Sequence, residues 1–194
     1  MDKYLENLKK YANENHIPII SDSGCDFLLD FLGKTKPNNI LEIGTAVGYS
    51  GSLILKTLPS ARLVTVEKNE NFVHFAKQTF EKVNVYDRVT QIYDDAYNFI
   101  KNTEEKFDFV FLDGPKGQYL KYYPYIKKLL KTGGYIFVDN IYFHNLVLGP
   151  EFVKHKLRTI VVNLRKFIDF IQHDSEVKVT FYEIGDGIAI INKL

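Results

Sequence analysis

Cysteine is almost absent: Cys25 stands alone among 194 residues. No intrachain disulfide can form, which points to a reducing compartment. Nothing near Cys25 marks it as a nucleophile, so it reads as a packing residue of a helix. No run reaches the roughly 18 apolar residues that a membrane-spanning helix needs. The opening stretch MDKYLENLKKYANEN holds no apolar core of a secretory signal, so the expected location is the cytoplasm. An excess of one charge is missing too: the formal net charge is +1, with 25% of residues charged. That argues against coating nucleic acid by bulk charge and leaves room for a local basic patch. Internal repeats, low-complexity tracts and linkers are also lacking. A hydrophobic fraction of 45% is enough for a real core. The reading is one domain over residues 1–194, with an N-terminal helical extension over about 1–36.

What is there alternates. Tyr4, Leu5, Leu8, Tyr11 and Ala12 recur at helical spacing, and Pro18 in HIPII breaks that helix. Ser21 to Ser23 offer caps for a second helix bearing Phe27, Leu28, Phe31 and Leu32. The short apolar runs NILEIG, RLVTVE, VTQIYD, FDFVFLD and GGYIFVDN then read as five strands. Helices are expected between them, at about Val47 to Leu58, Asn69 to Lys82, Ala96 to Lys101, and up to Leu130. Near-continuous apolar strands separated by amphipathic helices mean a parallel sheet covered on both faces. A long helix from about Glu151 to Gln172 follows, then VKVTFYEI and GIAIINK. Gly185-Asp186-Gly187 is too short for a parallel crossover, so these last two strands pair antiparallel.

Ligands of such a sheet sit beyond the carboxyl ends of its strands. The first strand runs into LEIGTAVGYS, where Gly44 and Gly48 let backbone approach a ligand. Ala46 stands where a dinucleotide fingerprint needs its middle glycine, which disfavours a dehydrogenase. Glu67 ends the second strand, where an acid accepts hydrogen bonds from ribose hydroxyls. Asp94-Asp95-Ala96 end the third, in reach of an adenine amino group. Together these segments resemble the class I S-adenosylmethionine-dependent methyltransferases. The resemblance implies a Rossmann-like α/β fold with a seven-stranded, mostly parallel sheet, an antiparallel final strand and helices on both faces. It assigns Glu42, Gly44, Thr45, Gly48, Ser50, Glu67, Asp95, Ala96 and Asp113 to the donor S-adenosylmethionine. Asp94 replaces the glycine usual before the Asp-Ala pair.

The fourth strand ends in Asp113 and the fifth in Asp139-Asn140. Neighbouring strands lie about 4.8 Å apart, so these side chains meet at one rim. Two carboxylates and an amide suit a hard divalent cation, Mg²⁺ or Mn²⁺; no His or Cys joins them, which disfavours zinc. Taken alone, Asp139-Asn140 read equally as the start of a turn. The set Asp113, Lys116, Asp139 and Asn140 is similar to that of the metal-dependent O-methyltransferases related to the catechol and caffeoyl-CoA enzymes. That resemblance, from HIPII to GDGIAIINK, implies metal ligands in Asp113, Asp139 and Asn140, with Lys116 at the acceptor hydroxyl as base or electrostatic aid.

FLDGPKGQY, VDNIYFHNLVLG and GDGIAI look most like a bacterial branch that methylates 5-hydroxyuridine at the wobble position of tRNA. The 5-hydroxyl and O4 of that base form a vicinal oxygen pair, and a single-stranded loop lets the base be splayed into a pocket. For RNA, the helical wheel of Glu151 to Gln172 puts Val153, Leu157, Ile160, Leu164, Ile168 and Ile171 on a buried stripe. Lys154, Arg158 and Arg165 fall on its flank. Lys121, Lys127, Lys128 and Lys131 add positive charge, and Tyr142, Phe143 and His144 offer rings for a base. The alternatives are a small catechol-like acceptor and a non-catalytic RNA- or nucleotide-binding protein. The segment SDSGCD departs from the acidic-proline element of related enzymes, and Gly114-Pro115 from their usual small pair. The resemblance also implies a homodimer.

Overall fold

The computed structural model describes residues 2–149 and 155–194. Seven strands form one sheet: β1 (Asn39–Ile43), β2 (Arg62–Glu67), β3 (Val89–Tyr93), β4 (Phe107–Leu112), β5 (Leu130–Val138), β6 (Val177–Tyr182) and β7 (Ile188–Lys193). Their order is β3-β2-β1-β4-β5-β7-β6. The first five run parallel, and β7 is antiparallel to both β5 and β6, as the short Gly-Asp-Gly link demands. The chain builds outward from β1 to β3, then returns to lay β4 on the other side of β1. That reversal opens a crevice at the carboxyl ends of β1 and β4.

Strand alternation sorts the core into two layers. Ile40, Phe109, Phe111 and Phe137 face α1 (Lys3–Glu14), α2 (Asp22–Thr35), α3 (Tyr49–Thr57) and α4 (Glu70–Lys82). Leu41, Val110, Ile136 and Val138 face α5 (Ala96–Asn102), α6 (Tyr119–Leu129) and α7 (His155–Gln172). Both layers are apolar, so the strands carry few polar residues between their ends.

Several expectations shift. On α1, Leu5, Leu8 and Ala12 are buried, Tyr4 packs against the same core, and the helix rests on α3 of its own chain. Tyr11 is 43% exposed and stacks on Phe75 at 5.5 Å. The first βα helix starts at Tyr49 rather than Val47, because Gly48 at its N-cap is left-handed with φ +79°. Strand β5 begins at Leu130, before the glycines, with a register shift opposite Phe107 and Phe109. On α7 the buried residues are Val161, Leu164, Phe167 and Ile171, so the stripe is rotated from the one expected. Phe167 makes the difference, lying edge-on to Tyr119 and Tyr123 at 5.8 Å each. Val153 and Lys154 lie outside the described residues.

Asp108 ties the amino end of the sheet together. Its carboxylate accepts the Asn38 and Asn39 amides at 3.1 and 2.8 Å and pairs with Lys131 at 2.7 Å. Burial pushes its pKa up, and the Lys131 ammonium and the two amides outweigh that, leaving it below 3.8. A lowered carboxylate stabilises the fold at neutral pH and loses that contribution as pH falls through the folded value. Asp108→Ala is expected to cost about 1–2 kcal/mol in urea titrations at pH 7 and less at pH 3. Equal costs at both pH values would refute the electrostatic assignment. Among the described residues no helix is long and apolar enough to cross a membrane.

Candidate active site

The parallel ladder continues one rung beyond its strands. The Gly44 amide donates to Val66, Asp113 to Ile43 and Asp139 to Leu112, each at 3.1 Å. Gly44, Asp113 and Asp139 therefore stand side by side on the carboxyl rim, at the point where strand order reverses. Gly44 has φ +102°, and a Cβ there would run into the carbonyl of Asp113. Only glycine lets the loop pass so close.

A buried polar chain holds that loop from below. Glu42 is fully buried; Ser50 Oγ donates to one of its oxygens and Thr65 Oγ1 to the other, both at 2.6 Å. The Thr45 and Thr65 hydroxyls are 2.5 Å apart. Burial pushes the Glu42 carboxyl up to about 7, against the opposing pull of its two hydroxyl donors. Glu42, Thr45 and Ser50, all assigned to the donor by resemblance, thus lie in a network beneath the loop, and they do not line the cavity. Gly48 is also off the cavity wall, packed close to Ala76 and Phe80. Thr65 was missed, although a hydroxyl inside the apolar run RLVTVE is a visible signal.

The cavity itself runs from Gly44 past Glu67 to Asp94, Asp95 and Ala96, and on the other side to Asp113 and Lys116. Glu67 Oε2 accepts the Ala46 amide at 3.1 Å, and Oε1 accepts Lys68 and Asn69 at 3.0 and 2.9 Å. These bonds fix the carboxylate at the end of β2 facing the loop. Asp95 caps α5 through the Tyr97 amide at 2.9 Å. Pro18, Phe72 and Tyr122 also line the space. Pro18, which breaks the helical pattern in the sequence, also has a place at the cavity.

At the other end, Lys116 opens a short 3-10 turn after Pro115, and its Nζ is 2.5 Å from Asp113 Oδ1. Asp139 is 2% exposed. Its Oδ1 accepts the Asn140 amide at 2.9 Å, while Oδ2 is buried without a partner. Burial first, and the Asp113 charge second, push the Asp139 carboxyl up to about 7. An unpartnered buried acceptor costs about 1–3 kcal/mol, so a native one calls for an explanation such as an ion. Among the described residues no three His, Cys, Asp or Glu gather. Two carboxylates, with the side-chain carbonyl of the neighbouring Asn140, would make an all-oxygen donor set, which fits a hard divalent cation.

The residues expected to meet RNA divide. Arg158 is exposed on α7. The Arg165 guanidinium instead donates to the carbonyls of Val147, Leu146 and Gly149 at 3.1, 3.2 and 2.9 Å. It straps a loop. Lys127 pairs with Asp174 and Glu176, and Lys131 with Asp108. The half-buried Tyr142 ring lies against Gly187, where any Cβ would strike it.

Sheet order and rim together define a methyltransferase of Rossmann-like fold. Residues 1–194 match the family model described as O-methyltransferase, and the chain belongs to that family. A caffeoyl-CoA O-methyltransferase of Populus kitakamiensis is 27% identical over 96% of this chain and 82% of its own length. The O-methyltransferase of Bacillus cereus in complex with SAH is 28% identical, covering 100% of this chain and 92% of that one, with a TM-score of 0.84. TomG of Streptomyces achromogenes, involved in tomaymycin synthesis and solved with SAM, is 25% identical with a TM-score of 0.87, covering 100% and 90%.

Proposed function

We propose that this S-adenosylmethionine-dependent O-methyltransferase binds its donor along Gly44, Glu67 and Asp94 to Ala96. We further propose a divalent cation, Mg²⁺ or Mn²⁺, at Asp113, Asp139 and Asn140, and an acceptor with two adjacent oxygens. The observation that carries the reading is the buried, unpartnered Asp139 Oδ2, one strand over from the Asp113–Lys116 pair that lines the cavity. The donor supplies an electrophilic methyl on a sulfonium. A bound cation would lower the pKa of an acceptor hydroxyl.

The chain's own residues bind and orient. Glu67 has lone pairs left for ribose hydroxyls after its three amide bonds. Gly44 admits the donor close to backbone. Phe72 and Tyr122 give the cavity apolar walls. Lys116, held by Asp113, places its Nζ to steady the acceptor oxygen as it loses its proton, or to take that proton once the ammonium has first released one of its own. Tyr119, buried with its hydroxyl directed at the Leu112 and Gly114 carbonyls at 3.3 and 3.4 Å, supports the turn that carries Lys116.

The acceptor favoured by FLDGPKGQY, VDNIYFHNLVLG and GDGIAI is 5-hydroxyuridine at the tRNA wobble position, giving 5-methoxyuridine. A catechol-like small molecule is the second reading, supported by the names of the Populus relative and TomG. The test is labelled S-adenosylmethionine with Mg²⁺ and tRNA lacking 5-methoxyuridine, followed by nucleoside digestion. Label in 5-methoxyuridine, lost with EDTA, is expected. Turnover of a catechol without label in tRNA would move the acceptor to the small-molecule class. Turnover undiminished by EDTA would sink the cation.

A further inference from the structure

The loop that carries Asn140 and Tyr142 closes on itself through backbone bonds such as Val147 to Tyr142 at 3.1 Å, yet it runs through unfavourable backbone. Asn140, Phe143, His144 and Asn145 have φ of +54°, +45°, +56° and +59°. Left-handed backbone is tolerable for Asn and unfavourable for a bulky Phe, so the surroundings must impose it. Two elements distant in sequence do so. At the tip between β6 and β7, both Asp186 carboxylate oxygens accept the His144 amide, at 2.6 and 2.7 Å. The Asp186 and Gly187 carbonyls accept the Tyr142 and Ile141 amides at 3.0 and 2.9 Å. From α7, Arg165 gathers the far end of the loop by three carbonyls. The tip is itself wedged: a Cβ at Gly185 would meet Ser21 Oγ at 2.7 Å, and one at Gly187 would strike the Tyr142 ring. Gly-Asp-Gly is thus more than a tight turn. Its glycines admit close neighbours on both sides, and its aspartate grips the loop with a charge-assisted bond.

We infer that Asp186 and Arg165 are positioning residues for the acceptor: they set the loop after β5 in the shape that presents Asn140 and Tyr142 to it. The inference rests on the reading that the acceptor binds beside Asp113 and Lys116. The donor wall at Gly44 and Glu67 contacts neither residue, so their loss should act on one substrate only. A strap that merely stabilised the fold would weaken both substrates together.

The test uses the full chain as wild type, Asp186→Ala, Asp186→Asn and Arg165→Lys. Amide exchange of the peptide over residues 141–149, read by mass spectrometry, should speed up at least about tenfold in Asp186→Ala. The acceptor kcat/KM should fall at least about tenfold with SAH affinity changed less than about twofold, and Asp186→Asn, which keeps one acceptor oxygen, should lie between. Arg165→Lys, which keeps the charge without the planar fork, should free the far end of the same peptide. Unchanged loop exchange overturns the inference, as does SAH affinity falling in step with acceptor kcat/KM. If wild type methylates no vicinal-oxygen acceptor, the functional reading fails, while the exchange experiment still decides whether Asp186 grips the loop.

Discussion

Asp139→Asn is expected to abolish methyl transfer and, at the same time, to make the unliganded protein more stable. The two effects have one cause. Asp139 puts a carboxylate oxygen into a nearly closed site with no hydrogen-bond donor for it, next to a second carboxylate on Asp113. In the unliganded chain that arrangement is unfavourable, since an unsatisfied buried oxygen costs about 1–3 kcal/mol. An amide of the same shape brings its own donors and no charge, so Asp113 can accept from it. Under the proposed function the same oxygen is a cation ligand, and a neutral amide is a poorer one. Loss of one direct ligand should cost at least the tenfold to hundredfold, roughly, that loss of an outer-shell partner costs. Urea unfolding of the unliganded variant should give a higher midpoint than wild type with the same slope, and added Mg²⁺ should raise the wild-type midpoint alone. A variant less stable than wild type, or one still stabilised by Mg²⁺, would contradict the assignment.

That tension between stability and use also marks what the sequence could and could not reveal. The strands were legible because a sheet covered on both faces forces long apolar runs, and FVFL and YIFV leave no other reading. Asp113 and Asp139 were legible because each interrupts such a run at its end, and the continued ladder brings them to one rim. The helix α7 was less so. Its wheel offers two overlapping apolar arcs, and Phe167, packed on Tyr119 and Tyr123, selects the one that a periodicity count does not. Arg165 looked like a surface cation because sequence carries no sign of the left-handed loop whose carbonyls it collects. The same blindness applied to Gly-Asp-Gly, where a turn was evident and its grip on the loop after β5 was not. Long-range hydrogen bonds between side chain and backbone leave almost no pattern in a single sequence. Glu42 is the intermediate case: an acid inside NILEI is conspicuous, yet only the fold shows it closed off beneath the loop by Ser50 and Thr65.

Closing off Glu42 has a consequence for pH. Its carboxyl lies at about 7 in the fold, against 4.5 when exposed, because burial outweighs the two hydroxyls that favour the charged form. Between those values the folded chain holds a proton there that the unfolded chain has released. Stability therefore falls as pH rises through this window and is flat above it. The full contribution is present below about pH 4.5; at 1.36 kcal/mol per unit, the loss by pH 8 is on the order of 3 kcal/mol. Asp139 slopes in the same direction, so the wild-type curve alone cannot assign the effect. Glu42→Gln isolates it. The amide keeps the shape, its oxygen can accept one hydroxyl, and the other hydroxyl can turn to accept from its nitrogen. Denaturant midpoints for both proteins at pH 5 and pH 8 should diverge, wild type losing the larger share and the variant being the more stable at pH 8. Parallel losses would mean that Glu42 is already ionised in the fold, with the loop over Gly44 resting on a buried charge held by Ser50 and Thr65.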